Sequence, residues 1–321
     1  MPAAAARGLS RFFATCPAGL GRILRDRLAA EPGVEITARG TDGQSDYVLF
    51  DADRAGRAEA LRCRLADGVF AEAGRAGRTA RAADPRALAA ACWRPETAQR
   101  ALSVWAEQLR PLNPVMSFRV TTRVQTGPRA LRSGLRPAMI EAISRYRPRW
   151  RPSASGELEI WLAEWRDGDV VAGLRLGGNG GGPAVTPAAV AAAMVYLAGE
   201  PGGFLFDPHC GRGTILAEAV AAGWTAAGTD VPPPAVHGAR EGTASEILEP
   251  DDSVDACVTT LAPDPAAALA EMSRVTRSGG AVVVLAADIA RESIPPALRL
   301  RQQVPVRLAD SRNVIWVFRR A

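Results

Sequence analysis

Residues 205–219 read LFDPHCGRGTILAEA. An apolar run delivers Asp207 at the end of a strand, Gly211 and Gly213 make a tight turn, and a helical pattern opens at Thr214. Strand, glycine turn and helix start together form the ligand-binding corner of a doubly wound sheet. Glycine lets backbone approach a ligand with no Cβ in the way. The helix start offers N–H groups that have no intrahelical partner. Asp207 can meet a cationic amine, and the next strand, WTAAGTD, ends in Asp230, well placed for both hydroxyls of a ribose. A lone GxG is only a tight β–α turn. The stretch DPxCGxGTxxxEA, followed about 20 residues later by a strand that ends in an acid, is far more specific.

Outward from this corner, the C-terminal half reads as β/α with buried strands. A helix covers 187–198, DACVT and AVVVLAA are apolar runs, and VPVRL with VIWVFRR reads as a closing hairpin. That pattern predicts a doubly wound, Rossmann-like α/β sheet with an antiparallel end. Upstream, LGGNGGGP (176–183) has little that can pack and reads as a hinge. Before it, SRFFATC, VEITA, DYVLFD and GVFAEAGRA are strands and 17–30 a helix with Pro17 near its first turn; with a second helix over RAGRAEALRCRLA, the order is the β-α-β-β-α-β of a ferredoxin-like unit. A further α+β stretch follows, with helices near 84–91, 95–109 and 134–146 and strands at 115–124, 157–166 and 169–176, the last two joined at an Asp-Gly turn. The expected domains are 1–75, 76–176, a hinge at 177–183, and 184–321.

All 39 basic residues are Arg. Residues 1–182 hold 28 Arg against 19 acids, a net +9, whereas 183–321 hold 11 Arg against 15 acids, a net −4. A basic half joined to an acidic half points to one part that binds a polyanion and another with a different task. From 119 to 151 nine Arg are opposed only by Glu141. Arg132 and Arg136 are four apart and share a helical face. RYRPRWRP interleaves Arg145, Arg147 and Arg149 with Tyr146 and Trp150, rings that can stack on unpaired bases. Arg119, Arg123, Arg132, Arg136, Arg145, Tyr146, Arg147, Arg149 and Trp150 are therefore the expected RNA contacts. Five scattered cysteines without a CxxC pair fit reduced thiols in a cytoplasm. No apolar run is long enough to span a membrane. His209 and Cys210 are adjacent and His237 has no ligand-spaced partner, so no metal site is read.

DPHCGRGTILAEA resembles the donor-loop motif of class I S-adenosylmethionine-dependent methyltransferases, in particular the RNA-modifying branch with an N-terminal THUMP domain. FFATCPAGLGRILRDRL, SFRVTTR, TPAAVAAAMVYLAG and MSRVTRSGGAVVVLA resemble that family's other landmarks in the same order, so the likeness spans nearly the whole chain. It implies S-adenosylmethionine as cofactor and a guanine amino group of RNA, foremost tRNA, as acceptor. By the same resemblance Asp207 contacts the methionine end of the donor, Gly211 and Gly213 line its backbone cradle together with Thr214, His209 packs where the family has an aromatic residue, Cys210 is a core thiol of the donor site rather than a nucleophile, and Asp230 holds the ribose.

Two departures stand out. The family's third acid, which touches adenine, is Thr243 here, and the segment before it, VPPPAVHGAREG, has three consecutive prolines that forbid an ordinary helix. The family's acceptor motif places Asn or Asp, a short apolar pair usually containing Pro, and an aromatic residue after the next strand. Here that strand runs into Thr260-Leu261-Ala262-Pro263, so Thr260 and Pro263 are catalytic candidates by position alone. Three readings stay open: an RNA methyltransferase, a non-catalytic RNA-binding protein that kept the fold, and a methyltransferase with another acceptor.

Overall fold

The computed structural model describes residues 9–77, 84–124, 126–164, 169–179, 186–261, 265–308 and 311–321. The chain divides into two compact units, Met1–Gly178 and Asn179–Ala321.

In the first unit, β1 (Ser10–Pro17), α1 (Gly21–Ala29), β2 (Val34–Thr41), β3 (Ser45–Ala52), α2 (Arg54–Arg62) and β4 (Gly68–Ala76) follow the expected order. Then come α3 (Pro85–Cys92), α4 (Pro95–Gln108), β5 (Ser117–Arg123), α5 (Arg129–Tyr146), β6 (Arg151–Pro152), β7 (Leu158–Glu164) and β8 (Val170–Gly177). One eight-stranded sheet runs β2-β3-β1-β4-β8-β7-β5-β6. β4 pairs antiparallel with both β1 and β8, so the ferredoxin-like strands and the later ones share a single sheet across the expected 75/76 division. Pro17 ends β1 and does not open the helix; α1 starts at Gly21 with no cap from its own Leu20. Asp46 of β3 supplies one instead, accepting from the amides of Gly19 (2.8 Å) and Gly21 (2.9 Å). α5 starts five residues before the expected 134. Gly134 and Pro137, poor helix residues, hide a continuous buried stripe of Leu131, Leu135, Ala138, Met139 and Ile143.

The second unit begins with α6 (Ala188–Ala198), β9 (Phe204–Asp207), α7 (Thr214–Ala222), β10 (Thr225–Asp230) and β11 (Ala239–Glu241). It closes with β12 (Val254–Thr260), α8 (Ala266–Val275), β13 (Thr276–Ala286), β14 (Leu298–Leu308) and β15 (Ser311–Arg320). The sheet order is β11-β10-β9-β12-β13-β15-β14, parallel through β13 and antiparallel in the final hairpin. The chain steps outward from β9 to β10 and β11, then returns to β12 on the other side of β9. That reversal puts a crevice at the carboxyl ends of β9 and β12, where ligands bind in such sheets. As the prolines require, no helix joins β10 to β11. α6 is buried from Ala189 through Val195, as its Ala-rich sequence permits, and exposes Tyr196 near its end. One face of the sheet packs Phe206, Val282, Val284, Trp316 and Phe318 against Leu269 and Met272 of α8.

The first unit's core is close-packed around rings. Phe13 stacks on Phe70 with centroids 4.6 Å apart, and Phe70 meets Trp161 at 4.9 Å. Gly173 leaves the room for this, since a Cβ there would lie 2.3 Å from Phe13 Cε1. Gly173→Ala is therefore expected to destabilise the first unit by about 1–3 kcal/mol. The check is the urea midpoint followed by near-UV circular dichroism; an unchanged midpoint would mean the rings yield freely.

Candidate functional site

The site is built at the carboxyl end of β9. Asp207 is 1% exposed. Its Oδ1 accepts from the His209 amide at 3.2 Å, while Oδ2 has no partner with hydrogen-bond geometry. Burial pushes the carboxyl up to about 7, with the nearby Thr259 hydroxyl and the His209 amide pulling it down and Asp230 adding to the rise. Thr259 lies close enough to act on the charge, but its own Oγ1 is also without a hydrogen-bond partner. A buried carboxylate with an unused oxygen is a receptor for a cation.

The glycine turn is held by Asp230 of the neighbouring strand. Asp230 Oδ2 accepts from Gly211 N at 2.6 Å and Oδ1 from Val231 N at 2.7 Å. Each oxygen retains a second lone pair for a ligand hydroxyl. Gly211 has φ +55° and nothing within 4 Å of a Cβ position, so this part of the turn faces open space. Gly213 (φ +79°) precedes α7 as its left-handed N-cap, and no side chain caps the helix at Thr214. Val236, in the proline-rich segment, closes over Gly213, whose Cβ would sit 2.8 Å from Val236 Cγ2. Cys210 is buried, and burial together with Asp207 and Asp230 raises its thiol to about 12, which makes it an inert wall. The exposed Thr243 lies beside Asp230: Gly242 N donates to the Asp230 carbonyl at 3.4 Å.

At the end of β12, Thr260 is tied in twice. Its hydroxyl lies 2.9 Å from that of Thr186, and its carbonyl accepts from His209 Nδ1 at 3.2 Å. The His209 Nε2 lies 3.8 Å from Asp230 Oδ2, so the imidazole stands between the ends of the two strands that flank β9. His209 makes a polar contact with Thr260 here, and its side chain is half exposed. Leu261 turns inward against the core. Pro263, the other catalytic candidate, lies outside the described residues. Thr186 is the residue that sequence reasoning missed. It is 8% exposed and stands immediately before Pro187, the N-cap of α6; the only signal for it was the Thr-Pro that opens that helix.

The candidate RNA contacts fall into two groups. Arg119 donates to Glu159 at 2.5 Å, and Arg123 lies over Trp161 at 4.4 Å while donating to Ser45 Oγ at 3.0 Å. Both are committed to the sheet, because residues distant in sequence supply their partners. Arg132, Arg136, Arg145 and Arg149 are exposed, Arg145 with Glu141 as a partner at 2.9 Å. Trp150 is 3% exposed, and its Nε1 donates to the Asn113 carbonyl at 3.4 Å, so its ring is no open stacking platform. It lines instead a cavity of about 480 Å³ with Asn113, Tyr146, Arg147 and Arg149. There Arg147 lies over Tyr146 (4.8 Å) and Trp150 (5.5 Å), and Gln99 Oε1 accepts from both Arg147 and the Tyr146 hydroxyl. Among the described residues no cluster of His, Cys, Asp and Glu has metal-site geometry, and no helix is long and apolar enough to cross a membrane.

A family model described as a methyltransferase domain matches residues 206–284, from the end of β9 into β13. The second unit contains a methyltransferase domain. The crystal structure of TrmN from Thermus thermophilus superposes with a TM-score of 0.71 at 19% identity, covering 97% of this chain and 99% of that one. The whole chain therefore shares that protein's fold. Geranyl diphosphate C-methyltransferase from Streptomyces coelicolor A3(2) aligns with 42% of this chain and 78% of its own, at 14% identity and a TM-score of 0.35. No curated protein matches the sequence.

Because Asp207 holds its proton more tightly folded than unfolded, it contributes stability below pH 4 that is lost as pH rises through about 7. Asp207→Asn carries no charge to bury. Its advantage in melting temperature over wild type is expected to be smallest near pH 4 and to grow by several degrees by pH 8, read by calorimetric melting at both pH values. Equal differences at both would refute the raised carboxyl.

Proposed function

We propose that the chain methylates an amino group of guanine in RNA, with tRNA as substrate and S-adenosylmethionine as donor. The observation that carries this reading is the corner formed by Asp207, Gly211 and Asp230 at the sheet's switch point. Support also comes from the basic balance of the first unit, whose exposed Arg132, Arg136, Arg145 and Arg149 suit a phosphate backbone.

The residues suit the donor. Asp207 has an unused buried oxygen for its amino group, Asp230 has free lone pairs for its ribose, and Gly211 opens on space that a side chain would fill. The surroundings are electronegative, which favours a ligand with two positive centres. Once bound, the donor supplies an electrophilic methyl on a sulfonium sulfur. The rest falls to this chain's residues. Asp207 and Asp230 orient, which is the main catalytic contribution in an in-line transfer. The paired hydroxyls of Thr186 and Thr260 accept hydrogen bonds from the incoming amine and help localise its lone pair.

A second reading, a non-catalytic RNA-binding protein, is favoured by one observation. Thr260-Leu261-Ala262-Pro263 supplies neither the carboxamide or carboxylate nor the aromatic ring of the resembled family's acceptor motif.

Titration calorimetry with S-adenosylmethionine is expected to show binding that strengthens from pH 6 to pH 8 with proton release, as Asp207 must ionise to meet the cation. Asp207→Ala is expected to abolish it; a flat wild-type titration would sink the donor assignment. Tritiated methyl transfer to unmodified tRNA then separates the two readings. Thr260→Ala is expected to lower transfer a few-fold, since the Thr186 hydroxyl remains, and Thr186→Ala with Thr260→Ala to abolish it. Donor binding without any transfer would establish the non-catalytic reading.

A further inference from the structure

The closing hairpin carries charge of the wrong sign for the domain it belongs to. Residues 298–320 hold six Arg against one acid, whereas 183–297 hold five Arg against fourteen acids. β14 is the edge strand of its sheet, and Arg299, Arg301 and Arg307 on it are exposed, as is Arg312 on β15. Among the described residues Arg299, Arg301 and Arg312 have no ion-pair partner. In register, Arg299 stands opposite Arg319 and Arg307 opposite Arg312. Like charges directly opposite on paired strands are destabilising.

Protection of a free edge accounts for part of this. Pro305, the irregularity between Leu300 and Gln302, and charges on β14 all discourage edge-to-edge pairing. It does not account for Arg312 and Arg319, which lie on the inner strand and repel the very charges that do the protecting. Arg299 and Arg319 face each other with no ion-pair partner among the described residues, and repulsion of that kind is relieved by an external anion. Along β15, Arg312 has the same parity as Trp316 and Phe318, and Arg319 the opposite, so the cations flank the edge from both faces. β14 spans roughly 35 Å at strand rise, long enough to follow several phosphates, and its free edge also offers backbone N–H donors.

We infer that the β14–β15 hairpin is a second RNA-backbone contact, carried by the methyltransferase domain itself and separate from the basic segment of the first unit. The inference rests on the reading of an RNA substrate. The hairpin grips phosphates without reading sequence, and so holds the acceptor RNA on the domain that binds the donor.

The test is filter binding of tRNA to the full-length protein across a salt series, wild type against a variant with Arg299→Gln, Arg301→Gln and Arg312→Gln. Each lost phosphate contact reduces the salt slope by nearly one, so a fall of about two to three is expected, with affinity near 0.1 M salt weakened roughly tenfold or more. Melting temperature is expected to hold or rise, because Arg312→Gln relieves a facing pair, and calorimetric binding of S-adenosylmethionine to be unchanged. A structural role alone predicts the opposite: lower melting and unchanged RNA affinity. Wild-type binding with an unaltered slope in the variant would overturn the hairpin contact and leave the RNA reading standing. No wild-type binding to tRNA, or retention only by anionic phospholipid vesicles, would overturn both.

Discussion

The hydrogen bond from Gly211 N to Asp230 Oδ2, 2.6 Å long, ties the glycine turn after β9 to the end of β10. Around it the corner is determined. The turn is held open above Gly211, Gly213 takes the left-handed conformation that starts α7, and His209 is directed across β9 to Thr260. Asp207 completes the arrangement from beneath as a carboxyl whose burial is tolerable because it stays partly protonated near neutral pH. A site of this kind holds its electrostatics in reserve: the burial cost is offset when a cation arrives, and ligand recognition is coupled to proton release.

The end of β12 is arranged differently. Thr260 contributes one hydroxyl, and the tertiary fold brings a second from Thr186, 74 residues away in sequence. His209 Nδ1 donates to the Thr260 carbonyl and Nε2 lies 3.8 Å from Asp230 Oδ2, so the imidazole stands between the ends of β10 and β12.

Charge is partitioned along the chain, and the partition has a structural meaning beyond composition. In the first unit, sheet arginines such as Arg119 and Arg123 are matched by Glu159, Trp161 and Ser45, while the helix arginines Arg136 and Arg145 face outward. A run of nine Arg is therefore two populations, one structural and one available to a polyanion. Counting charge in sequence cannot separate them, because the partners that engage Arg119 and Arg123 come from other strands.

What the sequence by itself determined is local. Apolar runs ending in acids, the two glycines and the proline block specify strands, a left-handed turn and the absence of a helix between β10 and β11, since each depends on a residue's own backbone freedom or hydrophobic period. The α/β class, the strand, glycine turn and helix at 205–222, and the ferredoxin-like order were legible for that reason. The start of α5 was not, because Gly134 and Pro137 argue against a helix that packing of Leu131 and Leu135 then enforces. Nor were the burial of Trp150, the union of the first unit's strands through β4 and β8, or the meeting of Thr186 with Thr260. Those are contacts between segments distant in sequence, and only the folded chain decides which side chains share a space.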